Sequence, residues 1–207
     1  MTSSFKATYL LPFFSLCFGH YLWAQQMDKA ETVTPYIGEI GISYAMPSAI
    51  GNNFLRQGYS LKSGHVLLIN VNFNNRWYAG VRYGHTDSEV DNLSVIGQID
   101  VTKLTHFHAT VGSTFNLRVP RLNLKSGLGV GYGIYRHKHM LTKFKDDAVS
   151  LNLTTSLTYK IGKSLGVFIN TDALYDIMNI EVAPEQKERF NNTFLFVPSF
   201  GFKVFTY

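Results

Sequence analysis

Leu122 to Tyr135, LNLKSGLGVGYGIY, decides how this chain is read. Its even positions are Leu122, Leu124, Ser126, Leu128, Val130, Tyr132 and Ile134, nearly all apolar. Its odd positions are Asn123, Lys125, Gly127, Gly129, Gly131, Gly133 and Tyr135, which are polar or have no side chain. A period of two kept over the whole stretch is a β-strand with two unlike faces. Glycine weakens an ordinary strand, so a row of glycines on one face points to crowding there, as inside a narrow closed barrel. The other face is continuously oily, with an aromatic near one end. The pattern predicts the wall of a membrane β-barrel.

The rest of the chain repeats the pattern. Thr34 to Ala45 alternates Tyr36, Gly38, Ile40, Ile42 and Tyr44 with Ile37, Glu39, Gly41, Ser43 and Ala45. His65 to Phe73 sets Leu67, Ile69, Val71 and Phe73 against Asn70 and Asn72. Trp77 to His85 sets Trp77, Ala79, Val81 and Tyr83 against Gly80, Arg82 and Gly84. Val101 to Phe115 places Phe107, Ala109 and Val111 opposite His106, His108 and Thr110. Ala148 to Ile161 places Val149, Leu151, Leu153 and Leu157 opposite Ser150, Asn152, Thr154, Ser156 and Lys160. Leu165 to Tyr175 has Val167 and Ile169 outward, Asn170 and Asp172 inward. Thr193 to Tyr207 is aromatic on both faces near its end, which predicts a bulge around Lys203.

Those strands are joined alternately by short and long connections. Asn74-Asn75-Arg76, Asn116 to Arg121 and Gly162-Lys163-Ser164 are short; Pro47 to Gly64, Thr86 to Asp100, His137 to Asp147 and Asp176 to Asn192 are long. Short turns on one rim and long loops on the other describe an eight-stranded antiparallel up-and-down transmembrane barrel. Both termini then lie on the short-turn, periplasmic side.

The first residues read differently. Lys6 begins a positive n-region, Ala7 to Gly19 is a short apolar core, and Leu22-Trp23-Ala24 offers a cleavage site before Gln25. Residues 1–24 are therefore expected to be a secretory signal peptide, 25–33 a short periplasmic segment, and 34–207 the barrel. The single cysteine, Cys17, lies in the signal, and Leu16 before it does not suit lipidation. After the signal, no apolar run is long enough for a membrane helix. If the chain crosses a membrane it does so with strands, which must close so that no backbone is left unpaired in lipid. A net charge of +5, thinly scattered, gives no case for nucleic acid.

The export signal, the eight alternating strands and the closing FGFKVFTY resemble the small outer-membrane barrels of the OmpA/OmpX type. The signal ending in Ala24-Gln25 and the segment SYAMPSAIGNNFLRQGYSLKSG are similar to barrel proteins of Bacteroidetes, including the PorT-like group. The resemblance implies residence in outer-membrane lipid. It also implies that the barrel-assembly machinery reads Tyr207 and Phe205 as an assembly signal.

The candidate functional residues are the inward ones. Glu39, Arg82, Lys125, Lys160 and Asp172 fall on the lumen face and are expected to pair across a filled interior, with Arg82 as the hub, paired with Glu39 or Asp172. An eight-stranded barrel is just wide enough for its own side chains, which argues against an open channel. His106 and His108 share that face, where they could be ligands or a base, or polar residues bonded to neighbours. Metal binding would need further ligands, and the sequence names none. His137 and His139 have the same spacing in a lysine-rich stretch that repels cations. A lipid-deacylating enzyme would need a serine beside an inward histidine with an orienting carboxylate; Thr110 stands where such a serine would follow His108, and no Gly-x-Ser-x-Gly elbow occurs. The expected role is structural or binding, without catalysis, metal or cofactor, carried by the outer loops or by a periplasmic partner. Those loops hold Ile50, Phe54, Leu55, Tyr59, Leu93, Val95, Ile96 and Phe190, which could bind a partner or simply cover the barrel mouth. Alternatives are a lipid-modifying enzyme, a narrow pore, or a soluble lipocalin-like calyx with its oily faces turned inward.

Overall fold

A computed structural model describes residues 36–97, 99–117, 119 and 121–207; the expected signal peptide and the segment up to residue 33 lie outside them. The strands are β1 (Gly38–Ala45), β2 (Ser48–Ile50), β3 (Tyr59–Asn72), β4 (Trp77–Val90), β5 (Val101–Asn116), β6 (Leu122–His139), β7 (Thr142–Lys160), β8 (Leu165–Met178) and β9 (Asn192–Thr206). From β3 to β9, each pairs antiparallel with the next in sequence, and β1 pairs with both β3 and β9. That double pairing closes the sheet into a barrel.

Nine labelled strands make eight staves. Along β9 the register Ala45↔Ser199 continues as Ser48↔Phe196 without a slip. β1 and β2 are thus one stave, interrupted at Met46-Pro47, where Pro47 has no N–H to give to a ladder. No helix among the described residues is long and apolar enough to cross a membrane.

The oily faces point out. Val111 and Leu128 are 63% and 65% exposed, with Val81, Val130 and Ile169 also exposed, while Glu39, Arg82, Asn152 and Asp172 are buried inside. That orientation overturns the calyx alternative, whose apolar faces would have lined the interior. An outward apolar belt around a barrel with a closed circuit of backbone hydrogen bonds suits lipid.

The glycine row on β6 has a steric cause. A methyl group at Gly127 would come within 2.5 Å of the Tyr78 hydroxyl, one at Gly129 within 2.7 Å of Thr110 Cγ2, and one at Gly133 within 3.2 Å of the His106 ring. The missing side chains are the space into which rings from β4 and β5 fit.

Four expectations need correction. Tyr36 lies inside the barrel and Ile37 outside, the reverse of the phase read from Thr34 onward; the alternation holds only from Gly38. Several strands run past the belt: β4 reaches Val90 and β8 reaches Met178. His137 to Asp147 is exposed over most of its length but is not a long connection, because β6 and β7 continue to a two-residue turn at Met140-Leu141. Met140 takes φ 50° there, and its N–H donates to Asp100 Oδ2 at 2.7 Å. Finally, β9 carries no bulge. Its pairing with β8 is unbroken from Leu165↔Val204 to Ile177↔Asn192. The end is aromatic on both faces because Phe200 and Phe202 face out, whereas Phe205 packs inside on Tyr36, with ring centroids 4.8 Å apart.

Candidate functional site

The lumen is filled by three polar tiers with an apolar tier above them. At the short-turn end, Glu39 of β1 is the shared anion. Its Oε2 lies 3.2 Å from Lys125 Nζ and its Oε1 lies 3.1 Å from Lys203 Nζ. Asn70 Nδ2 donates to Oε1 at 2.7 Å, and the Tyr36 hydroxyl donates to Oε2 at 3.3 Å. Lys203 also donates to Ser156 Oγ and Thr158 Oγ1, and Lys125 to Asn72 Oδ1. Lys160 has no carboxylate in contact among the described residues; its ammonium lies 4.1 Å from the Tyr36 ring centroid and 4.8 Å from that of Phe205. Aromatic faces attract such a desolvated cation, which holds a third lysine in the tier without a carboxylate of its own.

Arg82 occupies the middle tier. Its NH2 donates to Asp172 Oδ2 at 2.6 Å, and Asn170 Nδ2 donates to the same oxygen at 2.7 Å. Arg82 does not reach across to Glu39 as well; the lysines take that carboxylate. The expected single hub is therefore two separate clusters. Beside this pair a cavity of about 30 Å³ is lined by Arg82, His106, His108, Asn152 and Asp172.

The next cluster turns on Asp176, which lies within β8 and not in the connection that follows it. His106 Nε2 lies 2.7 Å from its Oδ2, the Tyr135 hydroxyl donates to that same oxygen, and Ser150 Oγ donates to Oδ1 at 2.5 Å. His108 Nε2 sits 2.8 Å from Ser150 Oγ, and the two imidazoles stack with 5.9 Å between centroids. A serine thus does stand beside His108, supplied by β7 and not by the next inward position of β5. Its proton, however, is committed to Asp176, so its oxygen can only accept from His108. A nucleophile needs its proton shared with a base and its oxygen open to substrate. Ser150 is completely buried. Among the described residues no group of three or more His, Cys, Asp or Glu side chains could hold a metal ion.

Above this lies an apolar mouth. Leu104, Leu174, Leu195, Val66, Val197 and Met178 point inward from the strands and meet Phe54, Leu55 and Tyr59. The short helix Phe54–Gly58 starts where Asn53 accepts the Arg56 N–H at 3.0 Å, an ordinary N-cap. Phe54 stacks on Phe190 at 5.3 Å, and Ile96 packs against the same core. Five of the eight apolar loop residues, Phe54, Leu55, Tyr59, Ile96 and Phe190, are therefore a cap; Leu93 and Ile50 remain exposed. His137 is buried too, with Nδ1 2.7 Å from Thr102 Oγ1 and Nε2 3.1 Å from Asp146 Oδ2.

No family model and no curated protein matches the chain. Among solved structures the barrel is similar to Neisserial surface protein A, with a TM-score of 0.57 at 14% identity over 81% of this chain and 96% of that one. It is also similar to the outer membrane protein OprG from Pseudomonas aeruginosa, with a TM-score of 0.52 at 12% identity over 83% and 96%. The fold is that of a small outer-membrane β-barrel. At such identities the likeness is one of fold alone, so the lumen clusters stand on their own geometry.

Tyr135 falls on the inward face that the alternation of Leu122 to Tyr135 assigns to it, whereas Lys203, Asp176 and Tyr36 are lumen residues that the alternation as read does not assign. For Lys203 and Asp176 a signal existed: both keep the inward parity of their strands if the strands are run through without a break.

Proposed function

We propose that this chain is an integral outer-membrane protein with a closed barrel. Its role is structural or binding, carried by the outward loops or by a periplasmic partner, without catalysis. The observation that supports this most is the filled lumen: ion-paired side chains occupy its lower part and an apolar core its mouth. A pore needs a continuous wet path, and these tiers interrupt it twice. The segment from Ser43 to Gly64 suggests a place among the PorT-like barrels of Bacteroidetes.

Planar-bilayer recording of the purified full chain tests the reading. Silence is expected; a steady, ion-selective conductance overturns it in favour of the narrow pore. Assembly is tested separately. Phe205 contributes to lumen packing, whereas Tyr207 is exposed and its hydroxyl donates to the Lys163 carbonyl. Removal of Phe205 to Tyr207 should leave export intact and block insertion. Normal outer-membrane levels of the truncated chain would refute the assembly-signal reading.

A further inference from the structure

Between the apolar belt and the long-loop rim, three adjacent strands carry a row of cations on their outer face. Lys103 of β5 stands opposite Arg136 of β6, and Arg136 stands opposite Lys145 of β7. One step further out, Lys138 stands opposite Lys143. All five are exposed. Like charges placed directly opposite in a ladder destabilise it, and the fold offers only partial relief. Asp87 reaches Lys103 at 3.4 Å and Asp147 reaches Lys145 at 3.0 Å. Arg136, the central cation, has no ion-pair partner among the described residues.

The rows beneath locate this cluster. Going toward the belt on the same three strands, the outward rows are Thr105, Ile134 and Asp147, then Phe107, Tyr132 and Val149, then Ala109, Val130 and Leu151. Four residues of tilted strand separate Arg136 from Tyr132, about 10 Å along the membrane normal. That is headgroup height, within reach of long cationic side chains. The cluster is also one-sided. At their long-loop ends, β8 and β9 turn Tyr175, Ile177, Asn192 and Phe194 outward, with no cation among them. General anchoring at an interface would ring the barrel, whereas a local cluster suits a particular ligand.

We propose that Lys103, Arg136 and Lys145, flanked by Lys138 and Lys143, form a binding site for the phosphate groups of an outer-leaflet lipid. The Arg136 guanidinium can take two phosphate oxygens at once, and the flanking ammoniums supply point charges. The phosphate offsets the repulsion within the row. This rests on the outer-membrane reading, with the long-loop rim outward.

The test uses the full chain in phosphatidylcholine nanodiscs doped with diphosphoryl lipid A or with its dephosphorylated counterpart. Lipid retained after detergent exchange is counted by mass spectrometry. Wild type should retain the diphosphoryl form preferentially, and K103Q, R136Q and K145Q should weaken retention by about fivefold per charge removed. Lys163→Gln, on the opposite rim, should change nothing. Heat-modifiable gel migration confirms that each variant is folded; if the triple variant does not fold, R136Q alone carries the test. Equal retention of both lipids by wild type, or undiminished retention by a folded variant, overturns the proposal. So does inositol hexakisphosphate binding as tightly in phosphatidylcholine alone, which would make this a site for soluble anions. Failure of wild type to insert removes the outer-membrane reading itself; insertion without lipid preference removes only this inference.

Discussion

Below Arg82 the lumen is held by charges, and above His106 it is held by oil. The lower cluster uses one carboxylate, Glu39, against Lys125 and Lys203, all of them at most 2% exposed. Its partners stand on the strands of the barrel wall, apart from Tyr36 just before β1. The upper cluster uses leucines and valines from the wall, but it is completed by Phe54, Leu55, Ile96 and Phe190 from the connections. The difference is one of dependence. The charged tier forms with the barrel and lasts as long as it does, while the apolar tier can open when the loops lift, leaving the wall unchanged. Two closures of different chemistry in series also mean that losing one need not open a path.

The comparison can be broken hardest at Glu39. Glu39→Ala abandons two buried ammoniums, so it should cost at least the 3–5 kcal/mol or so typical of breaking a buried pair. Urea unfolding in detergent or bilayer measures it, and Lys203→Met added to Glu39→Ala should restore part of the loss. Arg82→Ala comes next. It strands Asp172, but the adjoining cavity lets water reach that carboxylate, so the cost should fall at or below about 3 kcal/mol. The variant should remain electrically silent, because the Glu39 tier below and the mouth above are both still closed; conductance in Arg82→Ala alone would mean that neither of them seals the lumen.

Val130→Arg tests the wall shared by both tiers. Near the bilayer midplane it should cost about 2–4 kcal/mol. Val130→Cys should react slowly with a water-soluble thiol reagent, and fast labelling would contradict the outward phase. The smallest global effect is expected at Phe54. Phe54→Ala should speed hydrogen exchange in residues 53–59 and 187–191 while changing global stability by no more than about 1 kcal/mol, as for a locally opening unit. A loss as large as that at Glu39 would mean that the cap is not separable from the barrel.

How far this could be read in advance depended on lipid. Where a strand touches the belt, its outer residues must be apolar, so alternation is plain in β6, β7 and β8. The same lipid logic puts Arg82, Lys125 and Asp172 inside. Beyond the belt the outer face meets water and is polar as well, as at Lys103, Arg136 and Lys145, which removes the contrast that marks a strand. That is why His137 and Asp176 read as loop although their strands continue. Pairing was less legible still. Glu39 and Lys203 stand 164 residues apart and meet only because β9 returns to β1. Nor does composition distinguish a loop phenylalanine that caps a core from one that faces solvent; Phe54 and Leu93 differ only in what lies beneath them.

The glycine row of β6 bears on the order in which the wall is made. Each glycine inside a strand forfeits about 0.5–1 kcal/mol of intrinsic preference relative to alanine, and β6 carries Gly127, Gly129, Gly131 and Gly133. This strand has little tendency to become extended by itself, and its crowded face gives it nothing to bury until rings arrive from elsewhere. Tyr78 and His106 come from β4 and β5, both synthesised earlier. Strand β6 is therefore a follower. A chain that pairs β4 with β5 first presents a ready mould for it, whereas a β6–β7 hairpin formed alone would have a hollow inner face.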